Sequence, residues 1–253
     1  MNPVTLSLDG GQIGALFLVF MRTTGFVVAA PLLGHRSIPG TVKAALAAFL
    51  AVATAAQAVP VANGLPLVIA APVELVIGLS LGFLLGLGMR ATEVIARLLA
   101  LQGGLSLAAV YGPTFDEGGT PLDPLFSVLS ALLFLGMGLH LALIGALVRS
   151  YQALPLGGAM GPGFIEFAYR LIAMVLDLGV QLALPLALTL LLVELGIALL
   201  SRAIPTINVF VLGMPMKLLA MFALLLLAMP IIIDATARIY NLVFRAVQTG
   251  ALP

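Results

Sequence analysis

The chain has 253 residues, 62% hydrophobic and 8% charged, with a formal net charge of +1 and a mean hydropathy of +1.23; soluble domains average roughly 45–50% apolar and 25% charged residues. Such a composition excludes an ordinary water-soluble domain, and eleven scattered cations leave no electrostatic footprint for nucleic acid. With no cysteine, disulfides, thiolate catalysis and cysteine metal sites are excluded too.

Residues 1–9 are polar and lack the positive n-region of a cleaved signal peptide, so the first apolar run is expected to be retained as a helix. Apolar runs occupy 13–33, 42–61, 65–89, 95–110, 125–148, 171–200 and 207–233, most of them long enough for the ~20 residues that a spanning helix needs. Arg22 stands near the middle of the first run. An arginine at mid-membrane costs at least about 2.5 kcal/mol on insertion scales, so it demands a partner or a wet cavity. Gly78, Gly82 and Gly86, with Gly88 nearby, are spaced to put small residues on one helical face where a second backbone can approach.

Further along, Arg90, Glu93 and Arg97 share one side of a helix, where the glutamate can bridge both arginines or the helix can simply emerge into water. The run 95–110 carries Arg97, Gln102, Gly103 and Gly104, and the run 171–200 carries Asp177, Gln181, Pro185 and Glu194; both read as helices facing protein or water. Residues 102–124, QGGLSLAAVYGPTFDEGGTPLDP, form the one long irregular segment. It is either an external loop or, at membrane depth, a segment buried in protein or lining a water-filled cavity. His140, in LGMGLHLAL, reads as a packed and hydrogen-bonded residue, and neither it nor His35 stands in a metal-ligand spacing. With no nucleophile paired to a base and no phosphate-binding loop, neither catalysis nor a cofactor is expected.

Between the last two runs, residues 201–217 read SRAIPTINVFVLGMPMK. Pro205 and Pro215 interrupt helical hydrogen bonding, so the stretch is either a turn between two packed helices, with Arg202 and Lys217 beside it, or a plain loop whose cations sit among lipid headgroups. Asp234 and Arg238 follow the favourable acid-before-base i, i+4 order, with Arg245 two turns on, as in an amphipathic extension into water. The expected class is all-α, built from membrane-associated helical hairpins, with no short-period repeat and no linker marking a second globular domain.

Several segments together resemble the FliR family of flagellar biosynthetic proteins, whose virulence counterparts are the SctT-type subunits of type III secretion. The resemblance spans nearly the whole chain. It rests on Arg22, Ala30-Pro31, residues His35 to Pro39 and Val42-Lys43; on Glu74 to Gly78, Leu81 to Phe83, Gln102, Gly104 and Ser106; and on Gly138 to His140, Ser150 and Leu154-Pro155. Toward the C-terminus it rests on Leu184-Pro185, Glu194 to Ala198, Ser201-Arg202, Pro205, Asn208, Phe210, Gly213 to Pro215 and Lys217.

This resemblance implies a noncatalytic subunit of the export gate, which with FliP-like and FliQ-like subunits passes unfolded flagellar proteins across the bacterial inner membrane at the centre of the basal body. FlhB-like and FlhA-like export components are the further partners implied. Residues 1–170 would be the FliP-like part and 171–253 a FliQ-like hairpin, bent at Arg202, Pro205, Asn208, Phe210, Gly213, Pro215 and Lys217. The irregular segment would plug the pore at Gly104, Leu107, Val110, Tyr111 and Phe115. Leu107 and Val110 stand where aromatics occur in some members, so the seal would be an apolar gasket of the kind that closes by dewetting. Such assemblies are thought to lie largely above the bilayer plane, which would let Arg22, Asp177 and Glu194 meet partners inside protein. With Glu74, Arg90, Glu93 and Arg97 they make up the expected buried polar or ion-pairing set. The competing reading is a secondary transporter with a midplane site of Arg22, Asp177 and Glu194, although no inverted repeat is detectable.

Overall fold

An apolar chain satisfies its own backbone most directly as helix, and in the computed structural model the described residues, 10–35, 37–58, 65–105, 120–158, 161–203 and 209–249, contain helices as their only extended regular elements. These are α1 (Gly10–Ala29), α2 (Gly40–Thr54, continued by the 3-10 turn Ala55–Gln57), α3 (Leu67–Leu85), α4 (Leu87–Gly103), α5 (Asp123–Gly136), α6 (Leu139–Ala153), α7 (Pro162–Ala203) and α8 (Val209–Thr249). Among the described residues, five helices are long and apolar enough to cross a membrane, and α5 with α6 makes a sixth candidate if the two are taken as one broken span.

Glycines decide where apolar runs break. The run 125–148 is two helices because Gly138 takes φ +70, a left-handed conformation that glycine adopts without a Cβ penalty. The run 65–89 ends early, at Leu85, where Gly86 caps α3. Helix α4 then starts at Leu87, eight residues ahead of the apolar run at Ile95, and Gly104, at φ +79, follows its last residue.

The chain resolves into two compact units, neither continuous in sequence. The first contains α1, α2, α3, α6, the beginning of α7 to Ile172 and the end of α8 from Val243; the second contains α4, α5 and the stretch of α7 and α8 between Ala173 and Leu242. The long helices thus belong to both units, and compactness does not divide the chain at residue 170.

In the first unit α1 and α3 cross with their backbones in contact. A Cβ at Gly78 would lie 2.0 Å from the Arg22 carbonyl oxygen, one at Gly82 2.6 Å from that of Phe26, and one at Gly25 2.2 Å from that of Leu75. Gly78 and Gly82 belong to the spacing read from the sequence; Gly86 meets α1 more loosely, a Cβ there lying 3.9 Å from the Ala29 carbonyl oxygen, Gly88 faces the Tyr240 ring instead, and Gly25, with no glycine three or four residues away, was not signalled. Helix α2 joins through the Thr23 hydroxyl, which donates to the Ala47 carbonyl at 3.1 Å.

The core of the second unit is Ile95 and Leu99 from α4, Phe126 from α5, Ala183 and Leu190 from α7, and Met221, Leu225 and Ile232 from α8. Gly103 makes room for Met221, whose sulfur would be 2.1 Å from a Cβ there. Tyr240 is fully buried; its hydroxyl is 2.5 Å from the Ser130 hydroxyl and donates to the Ser130 carbonyl, while its ring meets Phe134 edge-on at 5.9 Å. This satisfied phenol ties α5 to α8.

The crossing gives a direct test. Gly78→Ala forces α1 and α3 apart and should cost about 3 kcal/mol or more, at or above the upper end of ordinary overpacking. Gly14→Ala, where only Leu67 Cδ1 comes within range at 4.0 Å, should be neutral or stabilising. Thermal unfolding of the two variants in detergent checks the difference.

Candidate functional site

Arg22 is fully buried, at 0% exposure, in the middle of α1. A guanidinium in such a place costs several kcal/mol unless its charge and donors are all matched. Its Nε lies 2.5 Å from Oε2 of Glu74, itself at 0% exposure on α3. Nη1 donates to the Ser150 carbonyl at 3.0 Å and Nη2 to the Leu154 carbonyl at 2.8 Å. The guanidinium carbon is 4.7 Å from the centroid of the Tyr151 ring, a cation–π distance. Ser150 and Leu154 belong to the C-terminal turn and C-cap of α6, the partially negative end of a helix, which favours a cation.

Glu74 is matched as fully. Its second oxygen, Oε1, accepts the Gly157 amide at 2.9 Å, and the Gly157 carbonyl accepts the Leu65 amide at 3.0 Å. The pair therefore clasps four pieces of chain: α1, α3, the C-terminus of α6 and residues 154–157. Glu74 and Gly78 are four residues apart on one face of α3, so the close crossing and the ion pair occupy successive turns. Sealed from water and mutually neutralised, the Arg22–Glu74 pair acts as a structural clasp. Among the described residues no group of three His, Cys, Asp or Glu is placed to hold a metal.

The remaining expected residues lie elsewhere and are not buried. Glu93 lies 3.8 Å from Arg90, both well exposed, but among the described residues Arg97 makes no ion pair. The bridge over two arginines does not form, since exposed side chains gain little by leaving water. Asp177 is exposed and accepts a hydrogen bond from Gln181 at 2.7 Å, one turn along α7. Glu194 pairs with Lys217 of α8 at 2.9 Å, with the lysine the better buried of the two. His140 is exposed on the first turn of α6 and is not the packed residue its apolar neighbours implied.

Asp177 and Glu194 stand on one helix about 25 Å apart at a rise of about 1.5 Å per residue, and Arg22 already has its carboxylate. These three therefore do not assemble a common transport site. Of the residues expected at the bend, Arg202 lies in the last turn of α7, while Phe210, Gly213, Pro215 and Lys217 are already in α8. Pro215 lies inside α8, beyond its first turn, where it removes one helical amide donor without ending the helix. Pro205 and Asn208 lie outside the described residues. So do Leu107, Val110, Tyr111 and Phe115, leaving Gly104 as the described member of the plug set.

Sequence reasoning did not find Ser150, Tyr151, Leu154 and Gly157 as partners of the Arg22–Glu74 pair. Three of the contacts are backbone atoms, which leave no residue-type signal.

Residues 13–243 match the family described as bacterial export proteins, family 1. The chain is 32% identical over 233 residues to the flagellar biosynthetic protein FliR of Escherichia coli (strain K12), covering 90% of this chain and 89% of that protein. It is 30% identical over 243 residues to FliR of Bacillus subtilis (strain 168), covering 92% and 93%. To the Yop proteins translocation protein T of Yersinia pestis it is 29% identical over 194 residues, covering 76% and 74%.

Removing one partner of the clasp leaves a buried unpaired charge, so Glu74→Leu should destabilise the chain by about 3–5 kcal/mol. Arg22→Met with Glu74→Leu should cost less than the sum of the two single changes. Denaturation in detergent of the four members of this cycle measures the coupling.

Proposed function

Since this chain belongs to family 1 of the bacterial export proteins and is a membrane component of flagellar or type III protein export, we propose that it is a noncatalytic subunit of the flagellar export gate. In this reading it forms, with FliP-like and FliQ-like subunits, the channel that passes unfolded flagellar subunits across the inner membrane. It sits at the centre of the basal body and works with FlhB-like and FlhA-like components.

One observation carries the assembly. Helices α7 and α8 have 42 and 41 residues, about 60 Å each, roughly twice the hydrocarbon thickness of a bilayer. Exposed apolar side chains run along α7 from Ile165 to Leu200, about 50 Å. Lipid can cover about 30 Å of that length, and the remainder calls for protein. Neighbouring subunits packed on α7 and α8 supply it, which agrees with residues 171–253 acting as the FliQ-like hairpin and 1–170 as the FliP-like part. The flagellar branch is favoured over the virulence one because the Escherichia coli and Bacillus subtilis FliR proteins align over 90% and 92% of this chain, against 76% for the Yersinia pestis protein.

The pore plug belongs to the same proposal, with Gly104 ending α4 and Leu107, Val110, Tyr111 and Phe115 forming an apolar gasket around the exported chain.

Mass spectrometry of the gently solubilised complex, purified through a tag on this chain, tests the assembly: FliP-like and FliQ-like partners at defined ratios are expected, and a homo-oligomer lacking them would overturn it. Leu107→Gly with Val110→Gly should make the assembled gate leak small ions. Unchanged membrane conductance would remove the gasket.

A further inference from the structure

We propose that the open face of α4 lines the water-filled path of the exported chain, with Arg90, Glu93 and Arg97 as its charged lining. This deepens the export-gate reading, on which it rests. Burial divides α4 lengthwise: Ala91, Thr92, Ile95, Ala96, Leu99 and Ala100 are buried, whereas Arg90, Glu93, Arg97 and Leu101 carry exposed side chains. The exposed positions recur every three or four residues and so share one face. The buried face is closed by protein, since Ile95, Ala96, Leu99 and Ala100 belong to the core of the second unit. Helix α4 is not one of the five described helices long and apolar enough to cross a membrane.

Depth follows from what α4 packs with. The core that holds Ile95 and Leu99 also holds Ala183, near the midpoint of α7, and Ala228, near the midpoint of α8. Those two helices are about 60 Å long, so an apolar layer of about 30 Å placed anywhere along them reaches their midpoints. At the same level they present Leu184, Leu188, Leu226, Leu227 and Ile231 outward, side chains that lipid or neighbouring protein covers. Water beside α4 at this level is therefore water inside the assembly and not the bulk solvent.

Charge requires that water. Ionisable side chains at membrane depth face a partner or a wet cavity, and Arg97 makes no ion pair among the described residues. Arg90 and Glu93, 3.8 Å apart and both open, form the loose pair of hydrated side chains. Two cations and one anion leave the face with a small positive excess. Hydrated charges with a single exposed leucine offer a passing polypeptide no fixed apolar anchor. Gly104 follows the last residue of α4, so the lining and the proposed gasket are consecutive in the sequence.

Because the chain has no cysteine, a single thiol placed on α4 can be followed by the mass that this chain gains. In the assembled complex, held in nanodiscs, Arg97→Cys and Arg90→Cys should react with sulfonatoethyl methanethiosulfonate at least about tenfold faster than Leu188→Cys on the apolar face of α7, since the reactive thiolate forms where water reaches it. A maleimide carried on a folded protein, too large for the path, should spare the same thiols. Melting temperature confirms that each variant is folded. No excess reactivity in a complex that contains FliP-like and FliQ-like partners would overturn the lining and leave the export-gate reading standing. Reaction with the folded carrier would show a face open to bulk solvent and overturn it too. Absence of those partners would remove the reading and the lining together.

Discussion

A positive charge in the middle of an apolar helix has to be neutralised, and in this protein that requirement organises the first unit. Arg22 reaches Glu74 because α1 and α3 approach to backbone contact at Gly25, Gly78 and Gly82. Larger residues at those positions would separate the helices and leave both charges without their short contact. Close packing and charge pairing are thus one device. The glycines set the distance, and the ion pair sets which turns face each other.

The clasp also governs chain that is not helical. Residues 154–157 carry amides and carbonyls with no helical partner, and Arg22, Glu74 and Leu65 take up the Leu154 carbonyl, the Gly157 amide and the Gly157 carbonyl. Buried backbone polar groups are rarely left unmatched. Here one ion pair serves that need for the segment joining α6 to α7 and for the approach to α3. Replacement of both charges by apolar residues would pack the space but leave those backbone groups to find other partners.

The second unit is organised differently. Its ion pairs lie toward the surface, and its mainly apolar interior holds the mutually bonded Tyr240 and Ser130 and also the buried Thr236, whose hydroxyl has no hydrogen-bond partner among the described residues. Its long helices leave leucine-rich faces uncovered. A charge-clasped unit and a second unit bearing extended apolar surface suit a membrane component, in keeping with membership of an export family whose relatives are matched over most of their length.

Hydropathy alone determined that the chain is all-helical and membrane-associated, because twenty-residue apolar runs have few other ways to satisfy a backbone in lipid. Spacing alone marked Gly78 and Gly82, and position alone said that Arg22 needs a partner. Local i, i+4 pairs such as Asp234 with Arg238 were legible for the same reason, since helical geometry makes near neighbours predictable. Partners far apart in sequence were not. Glu74 is 52 residues from Arg22, and Lys217 is 23 from Glu194, and no periodicity links them. Breaks at Gly86 and Gly138 depended on how the chain turned, since glycine permits a turn without requiring one. The tertiary structure decided which charges meet, which carbonyls they hold and which face of α4 stays open, because each depends on bringing together helices whose separation along the chain carries no record of their contact in space.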